Sequence, residues 1–232
     1  MSDHQELTMP VADLSEDVRA EFIAKTYMHL LGAVLSFVFL ELIYFQTGIA
    51  QSVAAALGGN WLIVLGAFLV VGWIATHFAH TADSLGAQYG ALALYVVAES
   101  IIFIPLLVIA NQFAPGAISS AGVITIVGFA ILSAVVFMTR KDFSFLRGFL
   151  MFFGIAALIL IVCSLIFNFH LGIWFSVAMI GLASASILYD TSNVLHHYPT
   201  NRYVGASLQL FASVALLFWY VLRLLIALQG RD

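Results

Sequence analysis

Two carboxylates hold most of the chemistry this sequence can offer inside apolar surroundings. Asp190 sits in the run ILYDTSNVLHH, residues 187–197, with Thr191, Ser192 and Asn193 directly after it. Glu99 sits in ALYVVAESIIF, residues 93–103. An ionisable group inside or at the edge of a membrane-length apolar segment is costly unless it is protonated, paired or wetted, so such groups mark ion sites and proton relays. Ser186, Asn193 and His197 fall on the Asp190 face at helical spacings. A carboxylate near a helix C-terminus opposes the macrodipole, so a cation or a hydrogen-bond donor is expected beside it. Two readings stand for Asp190: a cation or proton site, or a helix-end carboxylate reaching water. Two stand for Glu99: a relay group, or a neutral acid bonded to a neighbouring helix.

Other polar residues read more simply. Glu41 lies close to the end of the first apolar run and reads as an interfacial anchor. His77, His80 and Asp83 fall at i, i+3 and i+6, with His196 and His197 on the same side of the membrane. Nitrogen and oxygen donors of this kind suit zinc, but the spacing is loose, so a metal site is only a weak alternative. His29 and His170 read as interfacial or packed residues. Gly205, Gln209, Ser213 and Tyr220 form a polar stripe along the last run, which therefore reads as the helix at the centre of a bundle.

The elements that must position these groups follow from composition. The chain of 232 residues is 63% hydrophobic and 9% charged, with a mean hydropathy of +1.07. Soluble domains carry about 25% charged residues, so this is an all-α polytopic membrane protein. Seven apolar runs cover residues 25–45, 61–80, 86–110, 117–138, 144–167, 171–193 and 203–228. Each is near the roughly 20 residues a spanning helix needs. They are too long and too continuously apolar for membrane strands, and in lipid the helix is the remaining way to satisfy the backbone. Pro105 in the third run predicts a kink. Gly32 with Ser36, Gly72 with Ala75 and Ala79, and Gly181 with Ala185 are candidate close contacts between helices.

Residues 1–24 are polar and hold six of the twelve acidic residues. This stretch reads as a cytoplasmic tail ahead of a single seven-helix domain, residues 25–232. It offers no cleavable signal peptide, so the first apolar run is expected to direct insertion. Asp13 and Glu16 have capping-box spacing for a short interfacial helix, with a solvated tail as the alternative. With the N-terminus inside, Arg19, Lys25, Arg140, Lys141, Arg147 and Arg202 collect on the inner side, against Arg223 and Arg231 outside. That asymmetry favours N-in and C-out. Arg223 is expected to snorkel. No basic stripe suits nucleic acid, and the single Cys163 allows no intrachain disulfide.

Specific residues carry a resemblance. ILYDTSNVLHH with TNRYVGASLQL, residues 200–210, is similar to the signature end of the Bax inhibitor-1 family. MTRKDFSFLRGFL, residues 138–150, and KTYMHLLGA, residues 25–33, resemble its YccA-like bacterial branch, as does an acid in the third helix, here Glu99. The resemblance implies six helices in two three-helix layers around a central seventh, in the inner membrane. It implies a pH-sensitive calcium leak latched by two aspartates that share a proton. Asp190 matches the first; Ser213 stands in place of the second, and the last run holds no acid at all. A carboxylate pair is needed for coupled titration, so a single Asp190 held by Ser213, Gln209 or Arg202 would gate with one step. The same branch implies binding to an FtsH-type membrane AAA protease. No cofactor is expected, and calcium enters only as a permeant or bound ion.

Enzyme chemistry is not expected. An intramembrane aspartyl protease needs a second aspartate to split acid and base roles. Gly205-Ala206-Ser207-Leu208 is an incomplete rhomboid-like motif, and no His-Glu zinc motif is present.

Overall fold

The computed structural model describes residues 9–81 and 84–230, the His80 side chain excepted. Its helices are α1 (Glu16–Gln46), α2 (Ile49–Gly58), α3 (Trp61–Thr81), α4 (Leu85–Phe113), α5 (Ala117–Thr139), α6 (Leu146–Ile166), α7 (Gly172–His196) and α8 (Tyr203–Gln229). Seven of them, all but α2, are long and apolar enough to cross a membrane. α4 runs through Pro105 to Phe113 without interruption.

The helices stack as expected from the resemblance. α4 packs between α1 and α3, and α7 packs between α5 and α6. α8 lies between these two layers and touches α1, α3 and α4 on one side and α5 and α7 on the other. Its small first turns make this possible: Gly205, Ala206 and Ser207 are all buried. A Cβ on Gly205 would collide with the backbone carbonyl of Ala79 in α3. Further along, Phe103 of α4 meets Phe37 of α1 at 5.1 Å and Trp219 of α8 at 4.9 Å, both edge-on. Aromatic pairs in this geometry add to the area they bury.

Several expectations are corrected. α1 starts at Glu16, so the polar residues before the first apolar run belong to the same helix. The capping box does not form: Asp13 ends a 3-10 turn, and Ser15 caps α1 without a side-chain bond. α2 was not anticipated, because ten residues fall short of a span. It turns back after Gly48 at φ +77 and covers Ile104 and Val108 of α4. Of the three small-residue stripes, only the one on α3 packs: Ala75 and Ala79 are buried, whereas Gly32, Ser36 and Gly181 are exposed. Cys163 is half-buried on α6. α6 is the most peripheral helix, burying only Ala157 and Ser164 and exposing Phe152, Ile155 and Ile159.

The segment before α1 is tied down. Val11 is fully buried, and its N–H donates to the Tyr198 carbonyl at 2.9 Å. The Arg19 guanidinium donates to the Ala12 carbonyl at 2.9 Å. These bonds fasten residues 9–14 onto the link between α7 and α8.

Candidate functional site

The C-terminal end of α7 carries four consecutive polar residues, Asp190 to Asn193, that point four ways, as successive helix positions must. Asp190 faces α8 and accepts a hydrogen bond from Ser213 Oγ at 2.5 Å. Thr191 is buried against α5, with its hydroxyl 3.4 Å from that of Ser133; Tyr27 of α1 closes this contact by packing on Phe129 and Phe137. Ser192 accepts the Phe143 N–H at 2.8 Å, holding the loop between α5 and α6. Asn193 lines a cavity at the end of the bundle.

That cavity, about 540 Å³, is walled by Tyr189, Asn193, Tyr198, Arg147 and Arg202 among others. Burial, with the Asp190 carboxylate and Tyr189 nearby, pushes the Tyr198 phenol well above its ordinary range. A second cavity of about 450 Å³ lies between α3, α4, α6, α7 and α8. Glu99, Ser213 and Arg223 are on its wall, among mostly apolar side chains. The half-buried Asp190 thus lies between Tyr189 and Asn193 of the first cavity and Ser213 of the second. The first cavity carries more polar groups on its wall, and the second is mostly apolar.

Glu99 is 6% exposed, with Tyr95 one turn before it on the same helix. Ser213 and Glu99 share a cavity wall. Gln209 is half-buried one turn before Ser213 on α8, and the Asp190 bond comes from Ser213.

Glu41 is a correction. It is buried, continuing the stripe Ala33, Phe37, Glu41 on the core face of α1, and both of its carboxyl oxygens are buried without a partner among the described residues. α2 folds against the end of α1 that carries Glu41, so the missed helix explains the misplaced glutamate. Arg223 is half-buried and lines the second cavity.

The weak metal alternative gains nothing. His77 is exposed and stacks on Trp73 at 5.6 Å; Asp83 and the His80 side chain lie outside the described residues. Among the described residues, no three His, Cys, Asp or Glu converge on one point. His29 bonds Tyr89 at 2.7 Å and packs by Tyr203.

Asp142 is the residue that sequence reasoning missed. It accepts the Ser144 N–H at 2.8 Å and pairs with His197 Nε2 at 3.1 Å. Ser192 Oγ is also within 3.4 Å. The Ser144 N–H, with His197 beside it, holds this carboxyl below the usual carboxylate range. The signal was the Asp-x-Ser sequence just ahead of α6, an Asx-turn pattern. Asp142 and Ser192 together clamp the loop to the end of α7.

A family model described as "Inhibitor of apoptosis-promoting Bax1" matches residues 19–231. The chain is 27% identical to Bax inhibitor 1 of Schizosaccharomyces pombe over 235 residues, covering 97% of this chain and 83% of that protein. It is 38% identical over 96 residues to a protein of Escherichia coli named "Modulator of FtsH protease YccA", covering 40% of this chain and 42% of that one. An uncharacterized protein of Pseudomonas aeruginosa is 37% identical over 118 residues, half of either chain.

Proposed function

The chain belongs to the Bax inhibitor-1 family, and from that premise we propose that it is a non-enzymatic regulator in the bacterial inner membrane, acting on an FtsH-type membrane protease. The observation that carries this reading is the 38% identity to a relative named for modulating that protease. The match spans less than half of either chain, so the partner is inferred from the shared part. The fold supplies a suitable contact face. Arg140, Lys141 and Arg147 are exposed around the loop that Asp142 and Ser192 hold. The segment before α1 is fastened to the same end of the bundle. The excess of Lys and Arg there favours a cytoplasmic position for this end, the side on which the AAA ring of such a protease works.

The test is co-purification with the protease from solubilised membranes, together with turnover of a membrane substrate in vesicles. The full chain is expected to bind and to change turnover, and deletion of residues 1–20 is expected to weaken both. Absence of a complex with unchanged turnover would overturn the reading. A complex unaltered by the deletion would remove the tail from the account.

One observation favours a second reading, a pH-sensitive cation leak. The Asp190–Ser213 bond lies between two cavities. A carboxylate is the group to change its bonding with pH or a bound cation. Lacking a second acid on α8, such a leak titrates in one step. In liposomes, calcium or proton flux between pH 6 and 8 is expected to change in Asp190→Asn. Equal silence of both proteins would end this reading.

A further inference from the structure

The outer half of the 450 Å³ cavity has a chemistry of its own, whichever reading above holds. From Ser213 to Arg223, α8 advances ten residues, about 15 Å. Along that length the opposing walls are apolar, with Leu65 and Phe68 from α3 and Leu158 and Ile161 from α6. α3 and α6 are the edge helices of their layers and touch each other only sparsely, so the cavity runs along a seam that faces the bilayer. At its far end stands Arg223, beside Trp219, which stacks on Trp61 at 6.3 Å. The ion pairs among the described residues are Lys25 with Glu21 and His197 with Asp142, so Arg223 has no described carboxylate at pairing distance. A half-buried guanidinium on an apolar wall calls for an anion to offset its desolvation.

We propose that this cavity binds a fatty acid taken from the bilayer, its carboxylate on Arg223 and its chain running inward toward Glu99 and Ser213. The guanidinium fork matches a planar carboxylate with two parallel N–H···O bonds. The single narrow apolar slot suits one chain, and the lateral seam lets it enter from lipid. Seated there, the chain fills the space beside Ser213 and excludes water from it. Binding does not depend on either proposed function, and its readout is separate from flux and from protease turnover.

Trp61 and Trp219 line the slot, whereas Trp73 and Trp174 are exposed, by 69% and 85%, on the outside of the bundle. The test therefore uses the full chain with Trp73→Phe and Trp174→Phe, in phosphatidylcholine nanodiscs, titrated with dibrominated stearic acid. Saturable quenching of the remaining tryptophan emission is expected. In Arg223→Gln, the concentration for half-saturation is expected to rise at least tenfold, and the brominated methyl ester is expected to show no saturable phase. Gly154→Leu fills the slot from α6, where a new Cβ meets nothing within 4 Å, and is expected to abolish saturation while leaving the thermal midpoint in place. Linear, non-saturating quenching in the parent protein would overturn the proposal, as would an unchanged curve in Arg223→Gln. Tighter saturation by a brominated lysophospholipid would overturn the carboxylate assignment.

Discussion

Thr191 and Ser192 are uncharged, and they tie the end of α7 to α5 and to the loop after it. Ser192 is fully buried, and its hydroxyl holds the Phe143 N–H. Ser192→Ala leaves that N–H without its partner, which costs about 1–3 kcal/mol, and thermal unfolding in detergent measures it. Asp142 adds a pH dependence whose sign follows from its depressed pKa. A carboxylate held lower in the folded than in the unfolded chain contributes stability above its unfolded pKa, about 3.9, and loses it as the pH falls through the folded value. The stability gap between the parent and Asp142→Asn is therefore expected to narrow below about pH 4. The pair is accessible, its side chains 49% and 45% exposed, so its share is small, about 0–1 kcal/mol. At this scale Asp190, Glu99 and Ser213 were legible as types in unusual surroundings. The surroundings of Glu99 and the burial of Glu41 were not, because each depends on what a neighbouring helix turns toward it.

Among the elements, α8 is recognisable from sequence as central because its polar and small residues are wrong for a lipid-facing helix. Its tightest contact is with α3 at Gly205. Gly205→Leu drives a side chain into the Ala79 backbone, and overpacking of this kind typically costs about 1–3 kcal/mol. Lower thermal stability is expected, with a larger loss than for Gly154→Leu, where the added side chain meets open space. α2 escaped notice for a physical reason. Ten apolar residues between two spans look the same as a loop near the interface, and only the packing of Ala50 beside Ile104 and Val108 makes them a helix with a role.

For the molecule as a whole, a belt of exposed apolar side chains on α1, α3, α5 and α6 is what a bilayer would cover. With seven helices long and apolar enough to cross, the two ends of the bundle's first and last helices are expected on opposite sides. In a Cys163→Ser background, Ser144→Cys is expected to react with an impermeant maleimide only from the cytoplasmic side, and Gln229→Cys only from the other. Labelling of both from one side would overturn the assigned topology.

The sequence by itself determined the class, the seven spans and the asymmetry of Lys and Arg. Lipid forces each span to satisfy its own backbone, so length and hydropathy suffice to find it. Only the tertiary structure decided that Asp190 meets Ser213, that Glu99 shares a cavity wall with Ser213, and that Arg223 lines the same cavity. Those outcomes depend on the rotation of one helix against the next, and that rotation is set by contacts from distant parts of the chain.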